Sequence, residues 1–263
     1  MTEPAPVPAP AAAGGRRAAG IEAKALTKVF RLGRGSEVLA ADGVTFECAH
    51  GEVLGLLGPN GAGKSTTLRM LSTVLRPDSG SALVAGHDVV LDPLAVRRSI
   101  GYLSSSTGLY GRLSARETLE YFGRLHGLPP NALAERTSEL LKLFGLEESG
   151  DVRCEKLSTG MKQKVSIARA IIHDPPVLIL DEPTLGLDIL VASTMMKFIG
   201  DCRLRGKCIL FSTHVMSEVE KLCDRVAIIH RGKLRAVGTL DELRRMTGRE
   251  FMDEIFLSVV EGE

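Results

Sequence analysis

The sequence holds no apolar stretch near the ~20 residues that a bilayer-crossing helix needs. The chain is therefore not expected to span a membrane by itself. It has five cysteines (Cys48, Cys154, Cys202, Cys208 and Cys223) but no C-x-x-C pair, so neither a disulfide framework nor a zinc site is signalled. A reducing, cytosolic compartment fits that usage. There is no basic block either: 33 Lys and Arg stand against 32 Asp and Glu, a formal charge of +1, and no nucleic-acid partner is expected. Residues 1–20 lack the charged start and apolar middle of a secretion signal. Built from Ala, Pro and Gly with Arg16 and Arg17 late, they are expected to form a disordered tail.

What is present suffices for a globular protein, since 263 residues at 44% hydrophobic can bury a real core in one large or two modest units. The chain is organised around Gly58-Pro59-Asn60-Gly61-Ala62-Gly63-Lys64-Ser65. An apolar run from Val53 to Leu57 precedes it, and Leu68, Leu71 and Leu75 follow at helical spacing. Strand, glycine loop and helix in that order read as a phosphate cradle for ATP. Glycines let the backbone wrap an anion, so N–H groups and a helix N-terminus converge on it. Lys64 would pair with the outer phosphates, and the Ser65 hydroxyl would hold Mg2+.

Upstream, Ile21, Ala23 and Ala25 alternate, as do Val44, Phe46 and Cys48, with a glycine-rich turn at Gly33 to Ser36 between them. This predicts a hairpin leading into the Val53 strand. Phe30 could stack on adenine or belong to the core. Downstream, strand-like pieces lie near Ala82 to Val84 and at Ile100 to Leu103, the second followed by a polar loop, Ser104 to Gly108. A capping box at Ser114 and Glu117 opens a helix with Leu119, Phe122 and Leu125 on its apolar face. A second helix from about Asn131 to Phe144 buries Leu133, Leu140, Leu141 and Phe144 and stops at Gly145. Together they read as a helical insert in an α/β protein.

Ser158 is placed as an N-cap of the helix from Lys162 to Ile172, and Gly160 leaves N–H groups open toward an anion. Val177 to Leu180 is a buried strand ending in Asp181-Glu182-Pro183. Carboxylates at a buried strand end are costly unless a cation or water uses them, so Asp181 could serve Mg2+ and Glu182 an attacking water, or either could cap a helix. Another buried strand, Cys208 to Phe211, ends in Ser212-Thr213-His214. A lone histidine there is usually structural, but a third polar strand end points to a shared site. Ser217 to Cys223 reads as helix, Val226 to Ile229 and Leu234 to Val237 as a hairpin across Arg231-Gly232, and Thr239 to Glu242 as the start of a last capped helix. The segment 251–260 is expected to pack back on the core.

The ordered set Gly58 to Ser65, Leu157 to Met161, Leu180 to Pro183, Leu187-Asp188 and His214 resembles the nucleotide-binding subunit of ABC transporters over about Ile21 to Val237. The resemblance implies a P-loop NTPase α/β fold with a RecA-like core sheet, an N-terminal antiparallel β subdomain and an inserted α-helical subdomain at about 105–165. The ATPase domain would cover 21–240, with a C-terminal helix and tail at 241–263. It implies adenine stacking by Phe30, phosphate binding by Gly58 to Thr66, Mg2+ coordination by Ser65 and Asp181, and Glu182 as general base. It further implies Asp188 as a communicator across a dimer and His214 as the γ-phosphate sensor.

By the same resemblance the working unit is an ATP-hydrolysing, head-to-tail dimer, with itself or a paired ATPase subunit. Ser158, Thr159 and Gly160 of one copy would close the ATP site of the other. The helical insert would dock on a separate integral-membrane permease, placing the chain at the cytoplasmic face of the cell membrane. Two departures stand out. Ser104-Ser105-Ser106 replaces the family's usual glutamine, and the signature has Thr159 and Met161 where glycine and glutamine are usual. These features look like the branch that includes ATPase subunits of sodium-extruding ABC exporters. Two other readings are a soluble ABC ATPase acting on ribosomes or nucleic acid, and a P-loop small-molecule kinase. The first normally brings paired cassettes or a long coiled coil, and the second leaves Leu157 to Met161 and Glu182 without purpose.

Overall fold

Two sheets carry the chain, and the spacing of apolar residues decides which way each one faces. The structure is a computed structural model that describes residues 18–32, 36–104 and 108–261. The expected tail up to residue 17, the turn at 33–35 and the loop residues Ser105 and Ser106 lie outside that range. Strand β1 (Ala19–Leu32) pairs antiparallel with β2 (Ser36–Ala49), Ala23 opposite Phe46 and Leu26 opposite Val44. On β2, Val44, Phe46 and Cys48 are buried while Thr45 between them is exposed, the two-residue period of a strand with one buried face. With β4 (Ser79–Val84) and β5 (His87–Asp88) they form a sheet of order β2-β1-β4-β5.

The second sheet has the order β10-β9-β3-β8-β7-β6. Its members are β3 (Val53–Leu57), β6 (Ile100–Leu103), β7 (Val177–Asp181), β8 (Cys208–Thr213), β9 (Arg225–His230) and β10 (Lys233–Gly238). All pairings in it are parallel except β9 with β10. Strands β3, β7 and β8 are buried on both faces, which is why they read as unbroken apolar runs. Leu54, Leu56, Ile179 and Leu210 feed one core, shared with β1, β2 and helix α1 (Lys64–Leu71). Leu178, Leu180, Ile209 and Phe211 point the other way. They meet α3 (Ala115–Leu125), α4 (Pro130–Leu143), α5 (Thr159–Ala170) and α6 (Ile189–Leu204). Each such side chain stabilises the fold by about 1.5–3 kcal/mol relative to exposure.

Helix α3 opens with the expected capping box between Ser114 and Glu117. Its buried face differs from expectation: Leu119 is buried, but Leu125 is 65% exposed. Six residues at 3.6 per turn rotate Leu125 by about 240° from Leu119, so the two cannot share a face. Gly123 lies against α4 instead, where an added Cβ would sit 2.3 Å from Leu133 Cδ1. Helix α4 buries Leu133, Leu140 and Leu141, with Phe144 behind it, as its spacing predicts.

Two helices were not anticipated. Helix α2 (Pro93–Ser99), capped by Asp92, leads into β6. The helix capped by Thr239, α8 (Leu240–Thr247), is followed by another, α9 (Met252–Glu261). The segment does return to the core: Met252 and Ile255 join Val219 of α7 (Met216–Leu222) and Val226 and Ile228 of β9 in a third cluster, while Phe251 and Leu257 stay outside.

Between α5 and β7, His173 Nε2 lies 3.1 Å from the Ile100 carbonyl oxygen, and its ring stacks on His126 with centroids 3.5 Å apart. Burial, reinforced by His126, pushes the His173 imidazole down to about 4. The unfolded chain binds a proton near pH 6.5 and the folded chain does not. Stability contributed by neutral His173 is thus complete above about pH 6.5 and is lost as pH falls toward 4, by on the order of 3 kcal/mol. Denaturant midpoints measured across that range are expected to fall more steeply for the wild type than for His173→Gln. Equal acid losses in the two would contradict this.

Candidate active site

Parallel register lines up the strand ends: Leu57 pairs with Thr213, Asp181 with Ser212, and Leu103 with Leu180. The residues just beyond, Gly58, His214, Glu182 and Ser104, therefore leave the sheet along one edge, where ligands of open α/β sheets bind. The Gly58 to Ser65 loop passes from β3 into α1 there. Gly63, the N-cap of α1, has φ 105°, and a Cβ on it would lie 2.3 Å from the Ala40 carbonyl oxygen of β2. Only glycine fits that conformation and that approach. The Gly232 N–H donates to the Ala62 carbonyl at 2.9 Å, and the Asp42 N–H donates to the Gly232 carbonyl at 2.9 Å. The loop is thereby braced by β2 and by the β9–β10 turn.

Lys64 is only 4% exposed. Its ammonium donates to the carbonyls of Gly58 at 2.7 Å and Pro59 at 3.2 Å, and lies 3.2 Å from Glu182 Oε1. Glu182 Oε2 lies 3.2 Å from His214 Nδ1, so one carboxylate bridges the lysine and the histidine. Glu182 adopts φ 48°, left-handed backbone that costs a non-glycine residue about 1–2 kcal/mol. Its N–H donates to the Ser212 carbonyl at 3.2 Å and to Ser212 Oγ at 3.0 Å, which holds it there. Asp181 is fully buried, and its Oδ1 accepts from Ser65 Oγ at 3.0 Å and Ser212 Oγ at 2.7 Å. A hydroxyl beside a carboxylate is a set of hard oxygen donors, which fits Mg2+ completing its shell with water and phosphate oxygens.

In front of these groups lies a cavity of about 510 Å3 lined by Phe30, the residues from Pro59 to Thr66, and Glu182. Phe30 is half-buried on its wall and is not among the buried core residues. Val38, Leu39, Ala40 and Arg231 also line the cavity, and sequence reasoning missed them. Arg231 was visible only as a turn residue, and no periodicity links β2 to the phosphate loop. Ser212, which serves both Asp181 and Glu182, was visible only as the start of Ser212-Thr213-His214.

Ser158, Thr159, Gly160 and Asp188 are not part of this cavity. Ser158 is an exposed N-cap whose hydroxyl accepts from the Met161 N–H at 3.2 Å. Thr159 lines a separate cavity with Gly108 and Lys162. Gly160 faces Val191 near the start of α6. Asp188 is exposed and caps α6, accepting from the N–H groups of Leu190 and Val191 at 3.0 Å each. Gln163 Nε2, one turn into α5, donates to the Pro183 carbonyl at 3.1 Å, tying this region to the turn after Glu182.

Residues 41–185 match the ABC transporter family. The chain is 44% identical over 222 residues to the ABC transporter ATP-binding protein NatA of Bacillus subtilis strain 168, covering 84% of this chain and 90% of that protein. It is 41% identical over 216 residues to the daunorubicin resistance ATP-binding protein DrrA3 of Streptomyces coeruleorubidus, covering 82% and 68%. The solved dimer of MJ0796, a bacterial ABC transporter cassette, superposes with a TM-score of 0.77 at 26% identity, covering 83% of this chain and 98% of that one. The chain belongs to the ABC transporter family, as an ATP-binding ATPase subunit with a P-loop NTPase fold.

Proposed function

We propose that the chain is the energy-coupling ATPase of an ABC exporter, working as a head-to-tail dimer that holds ATP between its copies beside a separate integral-membrane permease. One observation carries this reading: Lys64, Ser65, Asp181, Glu182 and His214 gather at the ends of three neighbouring parallel strands, with Glu182 bridging Lys64 and His214 and Asp181 accepting from Ser65. In the reading, backbone N–H groups from Gly58 to Thr66 and the Lys64 ammonium hold the phosphates, and Phe30 stacks on adenine. Ser65 and Asp181 would hold Mg2+, which supplies charge neutralisation for the phosphates. Glu182 takes the proton of the attacking water, and His214 orients Glu182 and senses the γ-phosphate.

The dimer supplies what a single chain leaves apart. Ser158, Thr159 and Gly160 sit at the N-terminus of the 12-residue helix α5, exposed or half-exposed and away from their own phosphate loop. A second copy would bring that helix end to the ATP held by the first, with Asp188 at the junction. The solved MJ0796 dimer supports such an assembly. Among the described residues no helix is long and apolar enough to cross a membrane. The reading assigns the crossing to the permease and places this subunit on the cytoplasmic face. Sodium is the cargo that the branch resemblance favours, whereas one close relative is named for daunorubicin resistance. Purification from membranes tests the whole reading: the chain should copurify with a multi-span membrane protein, and vesicles holding both should expel Na+ on ATP addition. Export of daunorubicin without Na+ would keep the exporter and replace the cargo. Purification without any membrane partner would remove the transport role.

A further inference from the structure

Glu218 lies in α7, four residues beyond His214, and is 8% exposed. A carboxylate in that position is costly unless each oxygen finds a donor. Here the donors come from two different loops. Thr213 Oγ1, from the strand end just before His214, donates to Oε2 at 2.6 Å, and Thr184 Oγ1, from the turn just after Glu182, donates to Oε1. Thr213 Oγ1 is itself fixed by the Val215 N–H at 3.0 Å. The Thr184 turn is further tied by the Leu185 N–H to the Glu182 carbonyl at 3.2 Å.

We infer that Glu218 is a positioning residue that holds the Glu182–His214 pair in register, because its carboxylate joins the segment following one to the segment preceding the other. This rests on the role proposed for Glu182. Glu218 does not line the cavity in front of the phosphate loop, so its loss should act on turnover and not on ATP affinity. The same carboxylate gives Thr184, and through it the 182–188 turn, a direct path to the His214 strand end.

The test measures phosphate release by the full-length chain with Mg-ATP, together with amide hydrogen exchange. Glu218→Ala is expected to lower kcat about 10- to 100-fold, the scale of misplaced catalytic groups, with KM for ATP changed no more than about twofold. Thr184→Val removes one arm and should lower kcat in the same direction. The double variant should be no slower than Glu218→Ala alone, since both cut one link. Glu218→Gln should recover most of the loss: its amide oxygen accepts from Thr213, and its NH2 donates to a Thr184 hydroxyl that turns to accept. Amide exchange at Glu182, Leu185 and Val215 should be about tenfold faster in Glu218→Ala, with β3 amides unchanged. Multiplying losses in the double variant, a raised KM with kcat preserved, or unchanged exchange at those amides would overturn the assignment. Glu182→Gln runs alongside: normal turnover in it removes the Glu182 reading, whereas a dead Glu182→Gln beside a fully active Glu218→Ala removes only the Glu218 assignment.

Discussion

Replacing Glu182 with Gln is expected to slow ATP hydrolysis about 100-fold or more while nucleotide stays bound, because a positioned base contributes roughly 10^2 to 10^4. The geometry makes this substitution unusually clean. The backbone N–H of Glu182 is held by Ser212, so the left-handed turn does not depend on the side-chain charge. Glutamine keeps the length and one acceptor for Lys64 or His214 but cannot take a proton from water at neutral pH. It also withdraws a negative charge 3.2 Å from Lys64, which leaves the ammonium freer for phosphate. Phosphate-release kinetics and binding of a fluorescent ATP analogue should therefore separate: turnover falls and affinity holds or improves. Near-normal turnover would remove Glu182 from the role of base.

Ser158→Arg is expected to abolish ATP-dependent dimerisation and leave ATP binding by the single chain intact. The hydroxyl of Ser158 caps α5, so its loss costs about 1 kcal/mol, too little to unfold a domain of ordinary stability. The effect on association should be far larger. A long cation at a helix N-terminus opposes the partial positive charge there and occupies the space in which a partner's phosphates would sit. The phosphate cavity of the same chain contains none of residues 158–160, so binding to the monomer is spared. Sedimentation in the Glu182→Gln background, where hydrolysis does not dissolve the dimer, provides the measurement. An unimpaired ATP-induced dimer would mean that the cross-subunit surface lies elsewhere.

Both predictions start from residues that the sequence makes visible, and the reason is physical. Gly58 and Gly63 in the phosphate loop sit where close backbone approaches admit only glycine, and the Asp181-Glu182 pair ends an apolar run where charge is expensive. Buried parallel strands are likewise plain, because burial on both faces leaves unbroken apolar runs at β3, β7 and β8. Less is visible where a contact joins distant segments. Arg231 reaches the cavity only because β10 turns back beside β9, and Glu218 acquires its meaning only when Thr184 and Thr213 are brought to it from two loops. Helix α2 begins with an Asp92 cap and Pro93, a start that can be read, but Val96 is the only buried residue in its seven, too few to show a period. Leu125 misleads for the opposite reason: it is apolar, yet its angular position puts it in solvent.

The bracing of the phosphate loop joins parts of the chain that are synthesised far apart in time. Ala40, Ala62 and Gly232 must all be present before the loop has its supports, and the last of these emerges from the ribosome nearly 200 residues after the first. Such long-range closure is slow compared with helix formation. A truncated chain ending before Gly232 would carry the complete glycine motif and still lack the N–H that donates to Ala62 and the carbonyl that accepts from Asp42.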